Sequence, residues 1–171
     1  MREPDEEFQP KEILQTLARH GVTCVVIGGI ASTIHGSPYP TSDVDIVPDL
    51  KPANLERLAA ALNELESRIL VTDEPDGLKI EVTGALLRKS IPDFQFLNFL
   101  TKYGQIDLLF RPAGTDGYKD LARNAVEGTL GDVTVQIAAL EDVIRSKAAA
   151  GRQRDLEHLP TLRRLLEISR E

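Results

Sequence analysis

The sequence predicts a mixed α/β fold, and three observations carry that expectation. Helical patterns stand at both ends of the chain, a continuous β-branched run "VTCVVI" follows the first of them, and "DFQFLNFL" and "QIDLLF", joined by "TKYG", read as a β-hairpin. The chain has 171 residues, enough for one domain with a proper core and tight for two. The expected division is an acidic flexible tail over 1–9 and a single domain over 10–171 that ends in helices.

Each element has a local reason. In "PKEILQTLARHG", Pro10 suits a first helical turn, Ile13, Leu14, Leu17 and Ala18 form a stripe, and Gly21 ends it. Residues 22–27 are apolar on consecutive positions, as in a strand covered on both faces. Gly28-Gly29 breaks the strand, and "IASTIH" reads as a short helix stopped by Gly36. A loop with two prolines covers 37–42 and leads into a strand over Asp43–Val47. "PANLERLAAALNELES" places Leu55, Leu58, Ala59, Leu62 and Leu65 at helical spacing. "DEPDG" (73–77) reads as a turn, the second half of "LKIEVTGALLRKS" as helix, "GTDGYKDLARNA" as a short helix, and "TLGDVTVQI" as a hairpin or strand. "ALEDVIRSKAAAG" and "DLEHLPTLRRLLEIS" close the chain as helices, the second interrupted or restarted at Pro160.

Bulk composition narrows the function classes. A net charge of −7 and a pI near 5.0 argue against broad, nonspecific binding to nucleic acid. Cys24 is the only cysteine, so no internal disulfide forms and a reducing cytoplasm fits best. No apolar run is long enough to span a bilayer, and no signal-peptide pattern opens the chain, so the expected location is cytoplasmic, without a membrane partner. One cysteine and three scattered histidines give a zinc site little support, and neither a Walker pattern nor a nucleophile elbow is present.

The chemistry concentrates on three aspartates. Asp43 and Asp45 alternate with Val44 and Ile46, so an extended chain puts both carboxylates on one face. Asp107 sits between Ile106 and Leu108, again opposite the apolar positions. Like charges held that close repel and lose hydration, which a purely structural strand rarely accepts. Three strand-borne carboxylates can converge as oxygen ligands for Mg²⁺ or Mn²⁺ and so serve phosphoryl or nucleotidyl transfer. The competing reading is two solvated edge-strand acids and one buried salt bridge. Gly28 and Gly29 follow a buried strand and let the backbone approach a phosphate closely, or they are simply a turn; Thr41 and Ser42 could donate hydroxyl hydrogen bonds to the same phosphates. Lys147 lies on or beside an apolar stripe of Leu140, Val143 and Ile144, where it either reaches the site or snorkels from the rim of the core. From Arg145 to Arg164 the chain carries six basic residues against Asp155 and Glu157, a local reversal of charge that suits a polyanion.

In order, "VVIGGIASTIHG", "TSDVDIV", "YGQIDLLF" and "IRSKAAAGRQRDLEHL" resemble the nucleotidyltransferase fold of the DNA polymerase β superfamily, and within it the small stand-alone bacterial members that include the toxins of type IV abortive-infection systems. The resemblance implies a small, mixed, mostly antiparallel sheet flanked by helices. It implies that Asp43, Asp45 and Asp107 bind the metal ions, with Asp107 helping to deprotonate the acceptor. It also implies that Gly28, Gly29, Thr41 and Ser42 hold the β- and γ-phosphates, and that Lys147 reaches the triphosphate with Asp155 orienting it or the neighbouring Arg154. Many members of the superfamily have Gly-Ser where this chain has Gly28-Gly29, which removes one hydroxyl. The implied activity is transfer of a nucleoside monophosphate from an NTP to a hydroxyl of an RNA 3′ end, such as tRNA, or of a protein, with a cognate toxin or antitoxin as partner. The alternative is a non-catalytic module that binds a nucleotide or a partner. His35 is expected to be a satisfied or capping histidine, His20 and His158 surface residues, Cys24 an inert core thiol, and Phe94, Phe96 and Phe99, read in one strand, core material before a base-stacking platform.

Overall fold

The computed structural model describes residues 7–171. Most of the expected 1–9 tail therefore lies outside the described residues; Gln9 donates its backbone N–H to Tyr103 O at 2.9 Å. In chain order the elements are α1 (Pro10–Arg19), β1 (Cys24–Ile27), α2 (Gly28–Ile34), β2 (Asp43–Pro48), α3 (Pro52–Glu64), β3 (Arg68–Val71) and β4 (Glu74–Lys79). They continue with α4 (Gly84–Ser90), β5 (Phe96–Thr101), β6 (Gly104–Leu109), α5 (Tyr118–Asn124), β7 (Val126–Leu130), β8 (Val133–Ile137), α6 (Leu140–Ala150) and α7 (Gln153–Ser169).

The eight strands form one sheet in the order β4-β3-β5-β6-β2-β1-β8-β7. Five of the seven neighbouring pairs are antiparallel, and β2–β6 and β1–β8 are parallel, so the sheet is mixed and mostly antiparallel, as expected. The β1–β8 pairing has a single register pair, Val26 with Ile137, reinforced by Ala138 N–H donating to Val26 O at 2.8 Å. Alternation then sorts the side chains of the central strands. Val44, Ile46, Leu97, Phe99, Ile106 and Leu108 share one face and are buried in a core with Leu55, Leu58 and Leu62 of α3. Asp43, Asp45, Asn98 and Asp107 share the other face, which looks onto α6. Among the described residues, no helix is long and apolar enough to cross a membrane.

Three local expectations change, and one strand had no expectation. Residues 73–77 are not a turn: the turn is at Thr72–Asp73 and β4 begins at Glu74. Pro75 is tolerated there because β4 is an edge strand, where an absent N–H breaks no ladder on the solvent side. The short strand β3 carries no alternation signal of its own and takes its shape from pairing with β4 and β5. α7 runs through Pro160 without a break; Pro160 and Leu156 are both on its exposed side, so the carbonyl deprived of its donor faces water. Of the three phenylalanines only Phe99 is core, whereas Phe94 and Phe96 are 54% and 52% exposed.

Candidate active site

The site is a product of strand register. Parallel pairing of β2 with β6 places Asp45 beside Asp107 and Asp43 beside Gln105, while β5 sets Asn98 against Asp107 from the other side. One carboxylate oxygen from each of Asp43, Asp45 and Asp107 lies within 4.8 Å of the others. Among the described residues, none of the three takes part in an ion pair. Gln105 Nε2 donates to Asp107 Oδ1 at 2.9 Å.

Burial and crowding shift Asp45 and Asp107 upward. Burial raises Asp45 well above the ordinary carboxylate range, and the charges of Asp43 and Asp107 raise it further against a smaller opposing pull from Lys147. Burial pushes Asp107 up to about 6 with help from Asp43, partly offset by the hydrogen bond from Gln105. Ionising all three together without a counter-charge is therefore unfavourable. Three convergent hard oxygen donors on a half-open sheet face suit a divalent cation of the Mg²⁺ or Mn²⁺ type, which would relieve that repulsion.

Gly28 and Gly29 are required first by the carboxylates and their loop. Gly28 has φ +71, and a Cβ there would collide with the Asp45 side chain, whose Cγ lies 3.0 Å away. A Cβ on Gly29 would meet Thr41 Cβ at 2.6 Å and run into its hydroxyl. The Thr41 hydroxyl thus fills space that a serine at position 29 would need, and it donates to Asp43 O at 3.3 Å.

The cationic side of the site comes from α6 and α7. Lys147 Nζ lies 3.6 Å from Asp155 Oδ1, and Arg152 Nε donates to Asp155 Oδ2 at 2.7 Å. Asp155 is fully buried beneath both cations. Burial pushes its carboxyl up, yet the Arg152 hydrogen bond and the charges of Arg152 and Lys147 outweigh that and hold it below the usual value. Lys147 therefore borders the cleft, and Asp155 holds Lys147 and Arg152 together, whereas the sequence pointed to Arg154 as the neighbouring arginine. Arg154 is exposed and lines the cleft without an ion pair among the described residues.

The cleft has two lobes that share Gly28, Asp43, Asp45, Lys147, Arg152 and Arg154. One, about 330 Å³, is bordered by Gly29, Ser32, Thr41, Ser42 and the Tyr39–His158 pair. The other, about 270 Å³, is bordered by Asp107, Asn98, Phe96 and the α6 residues Val143, Ser146 and Ala150. All ten residues singled out from the sequence therefore border one cleft or, for Asp155, brace it from beneath.

Other expectations are corrected. His158 is not a free surface residue: its ring stacks on Tyr39 with centroids 3.9 Å apart, and Tyr39 Oη meets Thr161 Oγ1 at 3.1 Å, tying the 37–42 loop to α7. The basic reversal from Arg145 to Arg164 is taken up in part by internal pairs, Arg145 with Asp120 and Asp142, Lys147 and Arg152 with Asp155, and Arg164 with Glu167, which leaves Arg154 and Arg163 without an ion pair among the described residues. Cys24 is only partly buried, and burial pushes its thiol up to about 12. His35 behaves as expected, its Nε2 meeting Ala138 O at 2.8 Å. Sequence reasoning missed Gln105, Asn98, Tyr39 and Phe96. For Gln105 the signal was present, two residues before Asp107 on an alternating strand.

No protein-family model matches the chain, and no curated protein matches it in sequence. Among solved structures it is similar to the lincosamide antibiotic adenylyltransferase LnuA, bound to lincomycin, with a TM-score of 0.60, 15% identity, and 93% of this chain and 99% of that one covered. It is also similar to a nucleotidyltransferase candidate from Thermotoga maritima, with a TM-score of 0.52, 15% identity, and 97% and 99% of the two chains covered.

Proposed function

On the nucleotidyltransferase fold that this chain shares with both structures, we propose that it transfers a nucleoside monophosphate from an NTP to an acceptor hydroxyl, with release of pyrophosphate. The observation that carries the reading is the meeting of Asp43, Asp45 and Asp107 within 4.8 Å, with no ion-paired partner for any of them among the described residues. A module that binds only a protein partner gains nothing from three converging acids, since replacing such charges is often neutral or stabilising.

Asp43, Asp45 and Asp107 would hold a divalent cation, which when bound supplies charge neutralisation at the transferring phosphate. The remaining work belongs to side chains and backbone. Lys147 and Arg152, held by Asp155, would fix the triphosphate; Thr41 and Ser42 would donate hydroxyl hydrogen bonds to it beside Gly28-Gly29. Asp107, which borders the cleft, would accept the proton of the attacking hydroxyl. Most of the rate would come from positioning and electrostatics. The resemblance read from the sequence points to an RNA 3′ end or a protein hydroxyl as acceptor, within a toxin–antitoxin pair in the cytoplasm; LnuA acts on a lincosamide.

The test is incubation of the protein with Mg²⁺ or Mn²⁺, each α-labelled NTP, and tRNA, protein or small hydroxy acceptors. Label should move to one acceptor class, and Asp43→Ala or Asp45→Ala should abolish it. Unchanged transfer in both variants would overturn the reading, and binding of NTP without transfer to any acceptor would favour the non-catalytic module.

A further inference from the structure

The two lobes differ in charge. Arg152, Arg154 and Lys147 are common to both and neither lobe adds a lysine or arginine of its own, but the 270 Å³ lobe adds an acid: Phe96, Leu109, Val143 and Ala150 are apolar, Asn98 and Ser146 are neutral, and Asp107 is the one charged group found there alone. Asp107, the acid assigned to activate the acceptor, borders this lobe and not the other. Phe96 is also out of place by ordinary packing logic. It begins β5 beside the buried Leu97, yet 52% of it is exposed, and its exposed surface is part of the lobe.

We propose that this lobe binds the acceptor, that the acceptor is a compact, uncharged molecule carrying a hydroxyl beside a ring, and that Phe96 is the platform on which the ring lies. The proposal rests on the transferase reading above. An anionic acceptor would bring negative charge next to Asp107, and of the three cations that reach this lobe Lys147 and Arg152 are the ones assigned to the triphosphate. The volume suits one ring system with its substituents. An aromatic face stacks on a flat ring or on the C–H face of a sugar without demanding a charge. Asn98 and Ser146 can each donate and accept hydrogen bonds, which fixes a polyol by its remaining hydroxyls. In the step itself, the acceptor oxygen forms a bond to the α-phosphorus while the bond from that phosphorus to the bridging oxygen breaks. Pyrophosphate leaves with the electron pair, and the acceptor proton passes to the Asp107 carboxylate.

The experiment uses the full chain and four probes: phenyl β-glucoside and 2-phenoxyethanol as uncharged ring-bearing alcohols, glucose 6-phosphate as a charged one, and a decauridylate with a free 3′-hydroxyl. Saturation-transfer NMR reports binding without turnover, and transfer from α-labelled NTP reports KM for each substrate. The neutral probes should bind and accept label. Phe96→Ala should raise their KM about tenfold, with the KM for NTP within about twofold, and Phe96→Tyr should restore the wild-type value. Binding confined to decauridylate or glucose 6-phosphate would overturn the proposal, as would failure of every neutral probe to bind, or a Phe96→Ala effect on NTP instead of acceptor. Loss of NTP binding by the wild-type chain would instead sink the underlying transferase reading.

Discussion

Two clusters of partly buried charge sit in this molecule, and they behave in opposite ways. Asp120 and Asp142 are matched by Arg145, which donates to Asp120 through both terminal nitrogens at 3.0 and 3.1 Å and to Asp142 at 3.0 Å; Arg123 adds a further contact at 3.1 Å. Hydrogen bonds from Arg145 and from the Asp116 N–H hold Asp120 down to about 2. Asp43, Asp45 and Asp107 have the same chemistry and similar crowding, but among the described residues no arginine pairs with them, and two of the three are pushed up instead. The first cluster is held by Arg145 and joins α5 to α6, with Asp142 Oδ2 alone left without a hydrogen bond. The second has no ion pair among the described residues, which is the deficit that the proposed cation would fill.

The comparison breaks first on activity. Asp45→Asn keeps the shape of the side chain and removes a metal ligand, so transfer should fall about a thousandfold or more. Its melting temperature in chelator should not fall, because a repulsion has been removed; a drop in melting temperature with activity retained would mean the acids are structural after all. Asp120→Ala should do the reverse: it strands Arg145 and costs about 1–3 kcal/mol in urea denaturation, with transfer kinetics little changed. A third test sharpens the contrast by pH. Asp107 binds its proton more tightly folded than unfolded, so between about pH 4 and 6 the native state holds more protons and stability falls as pH rises. In chelator, Asp107→Asn should therefore gain about 1–3 kcal/mol over wild type at pH 7 and lose that advantage near pH 4. Asp120, depressed to about 2, contributes stability above its unfolded pKa that is lost as pH falls through the range 4 to 2, so the two clusters titrate with opposite signs. The smallest effect belongs to Arg164→Ala, whose pair with Glu167 is exposed on both sides and whose loss should leave the melting temperature unchanged.

The acid triad was legible because period-two alternation fixes a face within each strand, and apolar neighbours made the acids conspicuous. Which strands adjoin is a matter of register, which alternation does not encode; the Asp45–Asp107 pairing needed β2 and β6 to be parallel neighbours. β4 was hidden because Glu-Pro-Asp-Gly is turn chemistry anywhere except an edge strand. The basic stretch misled for a related reason: Arg145 is answered by Asp120, 25 residues away, and a local count of charge cannot include a partner brought by folding. Phe96 was read as core because apolar residues usually are, and its exposure follows only from what α6 leaves uncovered.

The parallel seam between β1 and β8 has one further consequence. The acids are borne by β2 and β6 on one side of it, and Lys147, Arg152 and Asp155 follow β8 on the other, so a single rung, with His35 gripping Ala138 alongside, spans the boundary between anionic and cationic halves. A nucleotide lying across the cleft would stitch those halves together where the backbone does so most sparingly. Amide protons on either side of Val26 and Ile137 should then be the ones whose exchange slows most when substrate is added.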